Sequence, residues 1–268
     1  KSWNSGMIPE LAGRNDFVAV HSYFTPYGQS SDAATILNAA ATEPTRLMTF
    51  ARGEMQRYAA EEKPVALTEW NMWASGAMQQ VSNVSGLFAV IAQGEAIRSG
   101  FGLAARWDLL NGWDGGNDHG LFSDGGEPGV AKWAPRPSFH YMYYFQRTMG
   151  DRMVPSTSSS ASLRTYASTY SSGQVAVAIV NTAATPQAVE LKFRNFARGN
   201  RLYWYSLEGG TDNGEFSRKV SVNGSTTSAQ AGGPESYASI AARSAQTSSG
   251  TRVSVPGRGA VFVLVDKK

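Results

Sequence analysis

The stretch Val65-Ala66-Leu67-Thr68-Glu69-Trp70-Asn71 is a short apolar run that ends in a carboxylate flanked by an indole and a carboxamide. Helices cover both faces of a parallel sheet, so its strands read as continuous apolar runs rather than alternating ones. In a (β/α)8 barrel the chemistry collects where each such strand runs out at its carboxyl end. The pattern therefore predicts a barrel strand that delivers Glu69 to an open mouth.

Two further stretches are built alike. Asp16-Phe-Val-Ala-Val20 runs into His21-Ser-Tyr23-Phe24-Thr25, and Gly102-Leu-Ala-Ala-Arg106 runs into Trp107-Asp108. Between the three lie segments with helical spacing. Residues 33–62 carry Ile36, Leu37, Leu47, Phe50, Met55 and Tyr58, and residues 81–99 carry Leu87, Val90, Ile91 and Ile97. Asp32 and Glu43-Pro44 supply helix starts, and Gly100 a stop. Strand, helix, strand, helix, strand is the rhythm of a parallel sheet.

Near residue 150 the pattern changes. A Ser-rich connector at residues 156–162 leads into short alternating strands, expected at 164–170, 174–181, 188–193, 201–206, 219–222, 252–255 and 260–265. Residues 209–214 and 224–250 read as loops, and no internal repeat is evident. The fold class is therefore α/β plus all-β. Residues 1–150 are expected to form the C-terminal part of a (β/α)8 barrel and residues 151–268 an antiparallel β-sandwich. Three strands do not close an eight-stranded barrel, so an upstream segment or a second chain is expected to complete it. The start at Lys1, with neither a methionine nor a signal-peptide pattern, is read as a processed or incomplete product.

Composition narrows the function classes. Of 268 residues, 42% are hydrophobic and 11% aromatic, enough for a substantial core. The 24 basic and 21 acidic residues form no dense basic block, so nucleic acid is not an expected partner. Without cysteine there are no disulfides or thiolate metal sites. No apolar stretch reaches the roughly 18–20 residues that cross a bilayer, so no membrane partner is expected. Two glycosylation sequons, Asn83-Val-Ser85 and Asn223-Gly-Ser225, carry little weight, since such matches arise by chance.

Glycoside hydrolysis needs two carboxyl groups across the scissile bond, about 5 to 5.5 Å apart when configuration is retained. Glu69 supplies one. A nucleophilic carboxylate must stay ionised and oriented, and His21 and Tyr23 on the preceding strand are suitable donors to it. Trp107, at the end of the following strand, offers a flat apolar surface for a sugar ring. Trp70, Trp73 and Trp113, with Asn71 and Asp108, suit a groove for a hydroxyl-rich ligand. Asp108, Asp114 and Asp118 with Asn117 are oxygen ligands of the kind Ca2+ takes, but their spacing matches no EF-hand loop, and a polar sugar-binding loop is the preferred reading. No metal and no cofactor is expected.

These motifs carry a family resemblance. Thr68-Glu69-Trp70-Asn71, preceded by His21-Ser-Tyr23 and followed by Arg106-Trp107-Asp108, resembles the last three strands of the clan of retaining (β/α)8 glycoside hydrolases. Within that clan the chain most resembles the β-agarase and β-porphyranase family, with the β-xylosidase and α-L-arabinofuranosidase families more distant. Asn111-Gly-Trp113-Asp114 through Phe122, then residues 135–145, are similar to the final strand, loop and helix of such enzymes. Val222-Asn-Gly, Gly232-Gly-Pro234 and Tyr237 resemble their β-sandwich appendage. The resemblance implies that Glu69 is the nucleophile, that His21 or Tyr23 is turned towards it, and that Trp107 floors the subsite. His21, Tyr23, Trp70, Asn71, Trp107, Asp108 and Trp113 are then the substrate-binding set. The clan's acid/base glutamate follows an asparagine, and no Asn-Glu pair occurs in this chain. The expectation is a secreted, extracellular or periplasmic hydrolase of agar, porphyran or another polysaccharide, its acid/base outside these residues. The alternative is a non-catalytic carbohydrate-binding or assembly protein on the same fold.

Overall fold

The computed structural model describes residues 3–11, 13–58 and 60–268. Its first part runs α1 (Trp3–Glu10), β1 (Val18–Tyr23), α2 (Ala33–Arg57), β2 (Val65–Asn71), α3 (Asn83–Ser99) and β3 (Leu103–Arg106). The strands lie parallel in the order β1-β2-β3. Two short strands, β4 (Leu110–Asn111) and β5 (Phe122–Ser123), pair parallel with each other, and α4 (Pro137–Thr148) follows. Among the described residues the parallel sheet does not close into a barrel. Its inner face and the outer edges of β1 and β3 are open, with Ala19, Leu103 and Ala105 exposed where barrel strands are normally buried.

Asp32 caps α2 as expected, its Oδ1 accepting from the Thr35 amide at 2.7 Å. Glu43-Pro44 does not start a second helix, because α2 continues through it. Ile36, Leu37 and Ala40 before the proline and Leu47, Met48 and Ala51 after it form one buried stripe, and Pro44 itself is buried. Burying each large aliphatic side chain contributes roughly 1.5–3 kcal/mol, and together these exceed the roughly 3 kcal/mol an interior proline costs. Gly100 stops α3 in the left-handed region at φ 83°, where a Cβ is unfavourable.

The second part consists of β6 (Arg152–Val154), β7 (Leu163–Thr169), β8 (Val175–Asn181), β9 (Gln187–Glu190), β10 (Arg198–Gly209), β11 (Val220–Val222), β12 (Arg243–Gln246), β13 (Arg252–Val255) and β14 (Gly259–Lys267). Seven of them form an antiparallel sheet in the order β11-β10-β14-β8-β7-β6, with β12 also paired to β10. A two-stranded ladder, β9 with β13, covers one face. β12 lies within the segment expected to be a loop. It is a polar edge strand, Arg-Ser-Ala-Gln, held to β10 by its backbone ladder, with Ala245 packed on the core and Ser244 accepting from Arg201.

The large sheet is buried on both sides. Val177, Ile179, Val261 and Val263 face the β9–β13 ladder, whereas Ala178, Val180, Phe262 and Tyr205 join the core shared with α3 and α4. That core crosses residue 150 without interruption. α3 approaches its neighbours through glycine: a Cβ at Gly86 would stand 2.1 Å from the Tyr141 ring, and one at Gly94 2.5 Å from the Tyr166 ring. The aromatic run of α4 seals this layer, with Tyr141 and Tyr144 fully buried.

Candidate active site

The parallel strands converge on Glu69 because of an irregularity in register. Val20 pairs with Leu67 but His21 pairs with Glu69, and on the other side Leu67 and Trp70 oppose Ala104 and Arg106. Thr68 is thus an extra residue, a bulge in β2. Side chains alternate faces along a strand. Without the bulge, Leu67 and Glu69 would both face the helices; with it, Leu67 and Trp70 face the helices and Glu69 is left on the open side, partly exposed.

On that side the Tyr23 hydroxyl donates to Glu69 Oε1 at 2.6 Å, and His21 Nδ1 lies 3.7 Å from Oε2. Burial, reinforced by the neighbouring Glu69 carboxylate, holds the Tyr23 phenol well above its ordinary range, so it remains a donor. Its ring packs against Trp73 at 4.9 Å and edge-on against His119 at 5.3 Å, and the exposed Tyr27 adds a third aromatic at 4.4 Å from Trp73. Trp73 is fixed by its amide donating to Thr25 Oγ1 at 2.8 Å. Trp107 is 45% exposed at the end of β3 and is joined to Asp108 by a cis peptide bond.

Beneath this surface lies a second set of groups. The Arg106 guanidinium donates to the His119 carbonyl at 2.7 Å and leaves Nε and its other terminal nitrogen without partners. Burial lowers its pKa to about 10, opposed by Asp108. Burial also pushes the Asp108 carboxyl up, against the pull of Arg106. His119 is lowered to about 4 by burial and by Arg106, and is therefore neutral at neutral pH. Gln80 Nε2 sits 3.2 Å from its Nδ1. The result is a partly open carboxylate with a fixed phenolic donor, over a layer that carries one buried cation.

The expected residues divide. Glu69, His21, Tyr23, Trp107 and Asp108 come together at the ends of β1, β2 and β3. Trp70 does not join them: it is fully buried, packed on Phe24 and Phe88 with centroids at 6.1 and 5.8 Å. Asn71 is also buried, its Nδ2 donating to the Trp107 carbonyl and its Oδ1 accepting from the Met72 amide at 2.8 Å, so it aligns the end of β3 rather than facing the groove. Trp113 lines a different cleft. Asp118, weighed as a cation ligand, instead pairs with Arg136 at 2.5 Å, and no group of three or more metal-binding side chains is gathered among the described residues. Tyr27, Arg106 and Gln80 enter the site unannounced. For Arg106 and Tyr27 the available signal was their position beside a strand end.

The sequence matches no protein-family model and no curated protein. Solved structures do resemble it. An α-L-arabinofuranosidase from Thermotoga maritima superposes with a TM-score of 0.66 at 15% identity, over 98% of this chain and 55% of its own. CelM2, a bifunctional glucanase-xylanase from a metagenome library, gives 0.62 at 14% over 98% and 47%. A monomeric β-xylosidase from Caulobacter crescentus CB15 gives 0.58 at 14% over 99% and 59%. The chain thus shares its fold with part of each of these structures, and it spans about half their length.

Proposed function

We propose that this chain belongs to a retaining glycoside hydrolase in which Glu69 attacks the anomeric carbon as the glycosidic C–O bond breaks and the leaving oxygen takes a proton from the acid/base carboxyl, giving a glycosyl-enzyme that water, deprotonated by the same group, then releases. The observation that carries this reading is the Tyr23 hydroxyl at 2.6 Å from Glu69 Oε1, at convergent strand ends beside an exposed Trp107. A donor fixed on one carboxylate oxygen leaves the other free to point at substrate. The acid/base carboxylate would come from polypeptide outside these 268 residues, together with the strands that cover the open edges of β1 and β3. The bare inner face at Ala19, Leu103 and Ala105 supports that completion.

The substrate in this reading is a polysaccharide, handled outside the cytoplasm because such polymers are too large to enter. The sequence motifs favour agar, porphyran or another galactan. The names of the structural neighbours favour arabinan and xylan, so both groups belong in the assay. The missing Asn-Glu pair favours a second reading, a carbohydrate binder without turnover. Glu69→Gln in the complete protein separates the two: the enzyme reading expects hydrolysis to fall by orders of magnitude with binding retained, and unchanged hydrolysis would sink it.

A further inference from the structure

Another concave surface lies apart from Glu69, where the loop after β4 meets the connection between β10 and β11. It is an open cleft of about 480 Å³, within the usual range of small-molecule sites, and its walls include Met78, Trp113, Asp212, Asn213, Lys219 and Gln230. Trp113 is held there by charge. The Arg136 guanidinium lies 5.9 Å from its ring centroid and is itself buried between Asp118 and Glu127. Glu127, in the segment after β5, also accepts from Arg218 at 2.8 Å, so Arg136, which stands over Trp113, is linked through Glu127 to the β10–β11 connection. Asp212 is oriented in the same way, accepting from the Ser217 hydroxyl and, at 2.9 Å, from the Arg218 amide. Lys219 forms no ion pair among the described residues.

A sugar ring has an apolar C–H face and a rim of hydroxyls. A partly exposed indole surrounded by a fixed carboxylate, two carboxamides and an ammonium group is its chemical complement. We propose that this cleft is a second carbohydrate-binding site, in which a sugar unit of a polysaccharide stacks on Trp113 and shares hydroxyl hydrogen bonds with Asp212, Asn213 and Gln230. The two sites are neighbours in sequence: the segment after β2 gives Trp73 to the Glu69 site and Met78 to this cleft, and Trp107 at the end of β3 is followed, beyond β4, by Trp113 of the cleft. In this proposal the cleft holds a further stretch of the polymer whose reacting unit lies at Glu69. The inference rests on reading the protein as carbohydrate-active.

The test is affinity electrophoresis of the intact protein in native gels that contain arabinan, arabinoxylan, β-glucan or a soluble agar fraction. The expected result is retardation by at least one polymer, weakened 10-fold or more by Trp113→Ala, largely kept by Trp113→Phe, and reduced by Gln230→Ala, a surface change that leaves the fold intact. Glu69→Gln should still be retarded. Equal retardation of the wild type, Trp113→Ala and Gln230→Ala, or no retardation of the wild type by any polymer, would overturn the second site. Persistent hydrolysis by Glu69→Gln would instead overturn the catalytic assignment and leave the gel result standing.

Discussion

Replacing Tyr23 by Phe deletes one oxygen and keeps the ring that packs on Trp73 and His119. The lost bond is charge-assisted and short, 2.6 Å from hydroxyl to Glu69 Oε1. Hydrogen bonds to a charged group contribute about 1.5–3 kcal/mol, which corresponds to roughly 10- to 150-fold in rate if the bond is needed to hold the nucleophile in its attacking orientation. His21 cannot substitute, because its Nδ1 is 3.7 Å away on the other oxygen and its side chain is 58% exposed. The expected outcome in the complete enzyme is a fall of about 10- to 100-fold in kcat/KM on an aryl glycoside, with the thermal midpoint nearly unchanged. The same contact has a converse that needs no turnover. In Glu69→Gln the Tyr23 phenol should titrate earlier than in the wild type, since the carboxylate that helps hold its proton is gone, and ring-labelled tyrosine NMR reads this directly. A Tyr23→Phe enzyme within twofold of wild type, where Glu69→Gln is inactive, would refute the claim that this hydroxyl holds the nucleophile.

Stability measurements test the frame that carries the site. Gly94→Ala would push a methyl to within 2.5 Å of the buried Tyr166 ring, whose hydroxyl is tethered to Glu95 at 3.0 Å; overpacking of about 1–3 kcal/mol should outweigh the roughly 1 kcal/mol gained in helix propensity, and urea unfolding should show a lower midpoint. Glu127→Gln leaves Arg136 buried with half of its counter-charge and Arg218 without its own, so a loss of about 3–5 kcal/mol is expected by the same method, and a change below about 1 kcal/mol would contradict it. His140 is buried with both ring nitrogens unpartnered, and burial lowers its pKa to about 4 from an ordinary 6.5. Above pH 6.5 the ring is neutral in both the folded and the unfolded chain and adds no pH dependence; as pH falls towards 4 the unfolded chain takes up a proton the folded one refuses, so stability is lost by about 3 kcal/mol across that window. His140→Leu should flatten the dependence of unfolding free energy on pH between 6.5 and 4, and an identical slope in wild type and variant would exclude His140 as its source.

The strands were legible where most of the strand is buried. Val175–Asn181 is an apolar run because its sheet has a packed core on each face, and Val65–Asn71 is one because it is the centre strand of its sheet, with Val65, Leu67 and Trp70 packed in the core. β12 and β6 left no such trace, since an edge strand is held by backbone bonds that any residue supplies. The proline signal failed at Pro44 for the opposite reason: a local rule yielded to a long buried stripe. At the site, strand alternation already places Trp70 opposite Glu69, so a residue adjacent to the catalytic candidate cannot share its groove. Asn71 obeys the same parity as Glu69 but is used up by the end of β3.

What no pattern revealed is why Glu69 faces outward at all. Strict alternation from the core residue Leu67 would carry position 69 to the helix side, where an ionised carboxylate would be desolvated without a partner. The extra residue at Thr68 reverses the parity for the rest of β2, and it does so on both flanks, since β1 and β3 each shift register at the same place. Parallel bulges are rare, and bulges concentrate beside active sites, where they re-aim a side chain. The irregularity therefore argues for function independently of the Tyr23 contact. A strand that served only to fill a sheet would have kept its register and placed an apolar residue at 69, whereas this one breaks register so that Trp70 can seal the core while its neighbour meets the groove.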